Sequence, residues 1–298
     1  MEAFKKKLRA LSKVRDSTAN TYMYNIRRLA RLAGHDTIPE TGAWLNTKKL
    51  RNLVAKENLN TRKLLSAAAV KASGVYGQKM ETWLKLMTDY SKQYASMRDD
   101  RKKTPREKAL WPAGGYKTVY AAGQKLQEKI TKSPGDWTWA DFRKAQRAWL
   151  LLFYGKHTPR LIHNVGYGGT SVNQIKKSRG RFSIILKDHK TSKSRGTATI
   201  KLDKALTGPT QNLISAAKRL TKHTNLLSNA LKKPISKASL SKLLTITMQS
   251  AGFKSGFSVQ LLRVLKSSEN RELIQKAQAL ENEMGHGARE SLRYAKKK

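Results

Sequence analysis

Apolar residues recur at three- and four-residue intervals along most of this chain, and the breaks in that rhythm divide it. Tyr22, Ile26, Leu29 and Ala33 predict a helix that starts at Asp16-Ser17-Thr18, which are N-cap residue types, and stops at Gly34. Trp44, Leu45 and Leu50 predict a second, short helix, and Leu64, Leu65, Ala68 and Ala72 a third. Met80, Trp83, Leu84, Met87, Tyr90 and Tyr94 make the strongest apolar stripe of this half. Residues 16–97 therefore read as a small all-helical bundle, preceded by a basic, weakly apolar arm or frayed helix over 1–15 that carries Phe4, Leu8 and Leu11.

The pattern fails over residues 98–112, where Arg98 to Arg106 is charged, unpatterned and proline-containing. That composition marks a basic interdomain linker, and Arg101 to Arg106 also fits a nuclear-import signal. Beyond it, residues 113–298 read as a second domain. A helix is predicted around Tyr120 to Ile130, then a long buried one through Trp139, Phe142, Gln146, Trp149, Leu150 and Phe153. Pro159 and the glycine-rich turn Gly166 to Gly169 end that section. Alternation of the β type occurs in Phe182 to Leu186 and Thr197 to Leu202, which flank a polar loop and predict a hairpin. Helical spacing resumes after Pro209 with Leu213, Ile214, Ala217 and Leu220, continues at Leu240, Leu243 and Leu244, and again at Val259, Leu262 and Leu265. A last stripe, Leu273, Ile274, Ala277 and Leu280, runs to a Gly285-His286 break. The fold class expected is mostly α, with a helical bundle followed by a mixed α/β domain holding a small antiparallel sheet.

Charge then narrows the partner. Sixty-one Lys and Arg against 20 Asp and Glu give a formal net charge of +41 on 298 residues, which points to a polyanion and first of all to nucleic acid. On charge alone a ribosomal or packaging protein competes. A membrane partner is disfavoured, because no apolar run is long enough to span and no signal-peptide pattern is present. The chain has no cysteine, so disulfides, thiol chemistry and Cys-ligated zinc are excluded. Its six histidines are scattered and its carboxylates do not cluster, so the expectation is chemistry without a metal or other cofactor. In the bundle, Arg27, Arg28, Arg31, Lys48, Lys49, Arg51, Arg62 and Lys63 have few acidic partners at helical spacing and are candidates for phosphate contact. Such contacts position a protein on DNA without reading its sequence.

Four pieces of the second domain belong together. They are His157-Thr-Pro-Arg160 after a buried helix, Lys190-Thr-Ser-Lys193 in the hairpin loop, Gln260-Leu-Leu-Arg263 opening a helix, and Gly285-His286 followed by Tyr294. In this order they resemble the tyrosine recombinases, the phage-integrase family. There the first arginine follows a helix in a turn, a lysine sits in a β-hairpin and a His-x-x-Arg box opens a later helix. A Leu-Gly-His then precedes the nucleophilic tyrosine. The Thr18, Tyr22, Ile26 helix is similar to one in the family's SAM-like core-binding domain. The resemblance covers residues 16–298.

The resemblance implies site-specific DNA cleavage and rejoining through a 3′-phosphotyrosyl link on Tyr294, serving integration or excision of a mobile or viral element. Arg160 and Arg263 would grip the non-bridging phosphate oxygens, Lys190 would protonate the leaving 5′ oxygen, and His286 would bind the phosphate or assist the tyrosine's proton. Lys187 and Lys193 share the loop with Lys190, and Lys193 is also a DNA-contact candidate. The partners implied are double-stranded DNA and three further copies in a homotetramer on two DNA sites, with no small-molecule substrate. The expected location is with intracellular DNA, nuclear or nucleoid according to host. Three departures stand out: Gln260 replaces the usual His, His163 stands where an acid is common, and the step from His286 to Tyr294 is about one residue short. Two rivals follow: a type IB topoisomerase-like enzyme with the same chemistry, and a recombinase-derived protein that binds DNA without cutting it.

Overall fold

The computed structural model describes residues 2–99, 103–157, 159, 160, 162–169, 171–188 and 196–284. Over those residues the protein is mostly helical, with twelve α-helices and one four-stranded mixed sheet. The chain divides into two compact units, Met1–Lys103 and Thr104–Lys298. No helix among the described residues is long and apolar enough to cross a membrane.

The first unit holds α1 (Glu2–Ser12), α2 (Asp16–Leu32), a 3-10 turn (Ala43–Asn46), α3 (Lys48–Ala55), α4 (Leu59–Tyr76) and α5 (Glu81–Asp99). Met23, Ile26 and Leu29 of α2 meet Leu65, Ala68, Ala69 and Ala72 of α4, Leu45, Leu50 and Val54. The basic arm over 1–15 holds the helix α1, whose Leu8 is buried in this core and whose Phe4 packs on Tyr76 at 5.2 Å. On α5 the buried face is set by Trp83 and Tyr90, and Met80 and Leu84 of the expected stripe stay exposed. Trp83 fixes that register: its Nε1 donates to the Leu45 carbonyl at 3.0 Å. Asp16 lies inside the first turn of α2, whose N-cap position is Arg15 without a side-chain cap.

The second unit opens within the expected linker. Thr104 and Glu107 form a capping box that starts α6 (Pro105–Leu110), with proline where a missing N–H costs nothing. Then come α7 (Lys117–Glu128), a 3-10 turn (Pro134–Asp136) and α8 (Trp139–Lys156), started by a Thr138–Asp141 capping box. Ten side chains of α8 are buried, so the rest of the unit is laid around it. The Trp149 indole, inside the core, donates to Thr210 Oγ1 at 2.8 Å on α9 (Thr207–Leu220). Two more helices, α10 (Lys237–Ser250) and α11 (Val259–Glu269), add Leu240, Leu244, Leu262 and Leu265 to the same core. The last, α12 (Arg271–Met284), keeps Leu273, Ile274 and Leu280 exposed.

The sheet runs β1 (Val165–Gly166), β2 (Asn173–Ser178), β3 (Arg181–Leu186) and β4 (Ala198–Lys201) in spatial order 1-2-3-4. The expected antiparallel pairing holds for β2–β3 and β3–β4, but β1 pairs with β2 in parallel, so the sheet is mixed. β2 and β3 turn through Arg179 (φ 48°) and Gly180 (φ 75°), the two positive angles that a two-residue hairpin of matching twist requires.

Helices α7 and α8 approach so closely that glycine is needed at two points. A Cβ on Gly123 would lie 2.7 Å from the Leu152 nitrogen, and one on Gly155 2.6 Å from Tyr120 Cα. Both obstacles are backbone, so the neighbour cannot swing aside. Gly123→Ala should therefore cost about 1–3 kcal/mol of stability by overpacking, read as a lowered urea midpoint. A midpoint equal to wild type would mean that the two helices separate freely.

Candidate functional site

The last carbonyls of a helix need donors from outside it, and α8 is buried up to Tyr154 before it emerges at Lys156. The Tyr116 hydroxyl donates to the carbonyls of Tyr154 and, at 3.1 Å, His157. The Tyr154 hydroxyl reaches forward to the Arg160 carbonyl at 2.9 Å. Arg263, on α11, donates from Nε to the Pro159 carbonyl at 2.8 Å. Three side chains from α7's N-terminus, α8 and α11 thus hold one turn. Burial pushes the phenols of Tyr116 and Tyr154 well above the usual range, with Glu269 adding for Tyr116 and the Arg263 charge opposing for Tyr154. Both therefore stay protonated donors.

The same anchor reaches α7 and the sheet. Tyr116 N and Lys117 N donate to the Glu269 carboxylate at 2.5 and 3.2 Å, so the end of α11 caps α7, which has no side-chain cap of its own. Asp203 N, just beyond β4, donates to His157 Nε2 at 3.2 Å. The segment that leads into the first arginine is consequently fixed to α7, α11 and the strand end together.

This arrangement brings Arg263 to the backbone next to Arg160. The Arg263 guanidinium sits against the peptide that precedes Arg160, although Pro159 and Arg263 are 104 residues apart in sequence. Arg160 is half-buried, while Gln260 and Arg263 are exposed and, three residues apart, share one face of α11. Ser258 caps that helix through Leu261 N at 3.3 Å, so Gln260 stands in the electropositive first turn. A guanidinium fastened through Nε presents its terminal nitrogens as a planar fork, the geometry that grips phosphate or carboxylate oxygens.

The stem of the lysine loop is also fixed. Asn173, buried on β2, accepts at Oδ1 from Lys187 N (3.0 Å) and Asp188 N (2.9 Å) and donates from Nδ2 to the Asp188 carbonyl (3.2 Å). Of the three candidate lysines Lys187 is exposed at this stem, and Lys190 and Lys193 lie outside the described residues. His286 and Tyr294 lie outside them as well. His163 follows the arginine turn with its Nδ1 buried and without a hydrogen-bond partner among the described residues. Burial lowers its pKa, the Lys237 charge lowers it further and Asp188 opposes. No group of three or more His, Asp or Glu is placed to hold a metal ion among the described residues.

In the first unit several of the candidate DNA contacts are engaged within the protein. Arg28 is paired with Glu57 at 2.6 Å, Arg51 donates to the Asn46 carbonyl and Arg62 to the Glu57 carbonyl, and Lys63 lies 3.9 Å over the Tyr94 ring. Arg27, Arg31, Lys48 and Lys49 are exposed. Carbonyls and rings, which carry no charge in a sequence tally, thus hold three of the expected phosphate contacts, and a carboxylate holds Arg28.

Comparison with known family models, with curated proteins and with solved structures finds no match to this chain. The site therefore stands on its own geometry.

Sequence reasoning gave no positioning role to Tyr116, Tyr154, His157, Asn173 or Glu269, which hold the backbone around the candidate residues. Each acts largely on backbone atoms, so no spacing rule marks it. His157 gives a test. Burial holds its pKa below the ordinary 6.5, Asp203 opposing and Lys156 and Lys266 adding to the depression. A depressed folded-state value means that the neutral ring's contribution is complete above about pH 6.5 and is lost as pH falls. His157→Leu should be less stable than wild type near pH 7.5 but lose less between about pH 7.5 and 5.5, measured by urea denaturation. Equal losses in both proteins would remove His157 from the account.

Proposed function

We propose that this protein cuts and rejoins DNA strands through a covalent 3′-phosphotyrosyl link, in the manner of the tyrosine recombinases, with Tyr294 as nucleophile. The helical first unit serves as a core-binding domain and the second as the catalytic domain. The observation that supports the reading is the Arg263 Nε bond to the Pro159 carbonyl, which joins the helix of the second arginine to the backbone beside the first. Two guanidinium forks of this kind suit a phosphate whose charge grows in a pentavalent transition state.

In that scheme the Tyr294 Oη attacks phosphorus, a Tyr–O–P bond forms and the bond to the 5′ oxygen breaks. The phenol's proton passes toward His286, and Lys190 supplies a proton to the leaving 5′ oxygen. The energy of the phosphodiester is kept in the covalent link, so a second DNA 5′-hydroxyl can reverse the step without ATP. Gln260 cannot move a proton but can donate a hydrogen bond to a phosphate oxygen. Substrate and assembly follow the family: duplex DNA, with four copies on two sites.

The test is a nicked suicide duplex incubated with wild type and Tyr294→Phe, resolved on a denaturing gel. Wild type should form a covalent protein–DNA band that Tyr294→Phe lacks, and Arg263→Ala should form it about 100- to 1,000-fold more slowly. Duplex binding without an adduct on any element end tested would favour the second reading, a recombinase-derived DNA binder, to which Gln260 in place of the usual His already points.

A further inference from the structure

The second unit also displays a built protrusion beside the start of α8. Residues 228–234 form a tight hairpin, bridged in antiparallel fashion at Ser228 and Pro234. Asn229 N donates to the Lys233 carbonyl at 2.9 Å and Lys232 N to the Asn229 carbonyl at 3.2 Å. The Asn229 side chain then accepts from Leu231 N at 2.9 Å and Lys233 N at 3.1 Å. Beneath it, Leu226, Leu227 and Ile235 are buried, and Ser228 N donates to the buried Gln146 amide oxygen at 2.7 Å. The base is thus part of the core, and the tip has little freedom.

What this turn presents is unusual for a solvated loop. Leu231 is 75% exposed, more than any other large apolar side chain among the described residues. Lys232 beside it holds a left-handed backbone (φ 57°), a conformation that non-glycine residues seldom adopt without an over-determining surround. Its ammonium lies 5.5 Å from the Trp139 ring centroid, and Lys233 follows. The tip, residues 229–233, has two cations and no acid. A lone exposed leucine is ordinary. Fixed on a rigid turn between an aromatic ring and two lysines, it has the composition of a wedge that enters a base step while its flanks meet phosphates.

We propose that the 228–234 hairpin is a duplex-DNA contact in which Leu231 inserts at a base step and Lys232 and Lys233 hold the adjacent phosphates. The occupant is chosen by charge: a chain of net +41 presents here an apolar tip followed by two lysines, with no acid within residues 229–233. The inference rests on the DNA reading above but concerns a different surface. Trp139 begins α8 and Arg160 follows its far end, roughly 27 Å away along an 18-residue helix. Held there, the wedge would bend or unstack the duplex at a distance from the cleaved phosphate.

The full-length protein is titrated into duplexes carrying 2-aminopurine at successive steps, and into the same duplex end-labelled for energy transfer, at several salt concentrations. Wild type should raise 2-aminopurine emission at one step and shorten the end-to-end distance. Leu231→Ala, at an exposed position that leaves the fold intact, should lose both signals and bind about tenfold more weakly with an unchanged salt slope. The Lys232→Ala, Lys233→Ala double variant should lower that slope by about two. Leu231→Ala giving wild-type emission and bending would overturn the proposal, as would a change in its oligomeric state with DNA signals intact. If wild type binds no duplex at any salt, the DNA reading fails and the hairpin proposal with it; binding with an inert tip removes the hairpin alone.

Discussion

The last carbonyls of a helix need donors from elsewhere in the fold, and in this protein the donors that meet the end of α8 tie several elements of the second unit together. Where α8 ends, Tyr116, Tyr154 and Arg263 supply donors to the carbonyls of Tyr154, His157, Arg160 and Pro159. Two are phenols whose burial keeps them protonated, and one is a guanidinium, which never loses its charge. Because each donor comes from a different part of the fold, satisfying the helix end also fixes where α7, α8 and α11 meet. The close α7–α8 contact at Gly123 and Gly155 belongs to the same constraint, since it brings Tyr116 within reach.

Function can use this structural necessity. An arginine that satisfies a carbonyl through Nε is oriented by that bond, and its terminal nitrogens then point from a fixed base. Arg160 follows the same turn and inherits its position. Preorganised donors stabilise developing charge without reorganising, which is how such sites lower barriers. On the other side of the turn, Asp203 N ties His157 to the end of β4, and Asn173 clamps the far stem at Lys187 and Asp188. The lysine-bearing loop thus starts from a fixed strand end. His163, whose Nδ1 has no hydrogen-bond partner among the described residues, is under the electrostatic influence of both Asp188 and Lys237.

Periodicity revealed what depends on periodicity. The α2, α4, α8 and α9 stripes end in the core because Ile26, Leu65, Trp149 and Leu213 sit on faces repeated every three or four residues. The same reasoning placed the Phe182 strand and its partner after the loop. β2 was missed because Asn-Gln-Ile-Lys-Lys-Ser has one apolar side chain and no alternation to read; its place is set by β3 and by the Arg179-Gly180 turn. α1 reads as an arm or frayed helix because three apolar residues among many lysines look insufficient for burial, yet Leu8 and Phe4 pack it against the core of the first unit. At the candidate site Arg160 and Arg263 were legible as motif residues. Their neighbours were not, since hydroxyl-to-carbonyl bonds leave no spacing signature.

The central claim is that Arg160 and Arg263 neutralise one phosphate in the transition state. Replacing a non-bridging oxygen of the scissile phosphate with a methyl group removes the charge that they would meet. The decisive measurement is the rate of covalent adduct formation by wild type, Arg160→Ala and Arg263→Ala on phosphate and methylphosphonate suicide duplexes. The account predicts that both variants are slow on phosphate and recover much of the lost rate on methylphosphonate, because the missing cation then has no charge to neutralise. Variants that remain equally slow on the uncharged duplex would contradict it, and would make the two arginines parts of the scaffold alone.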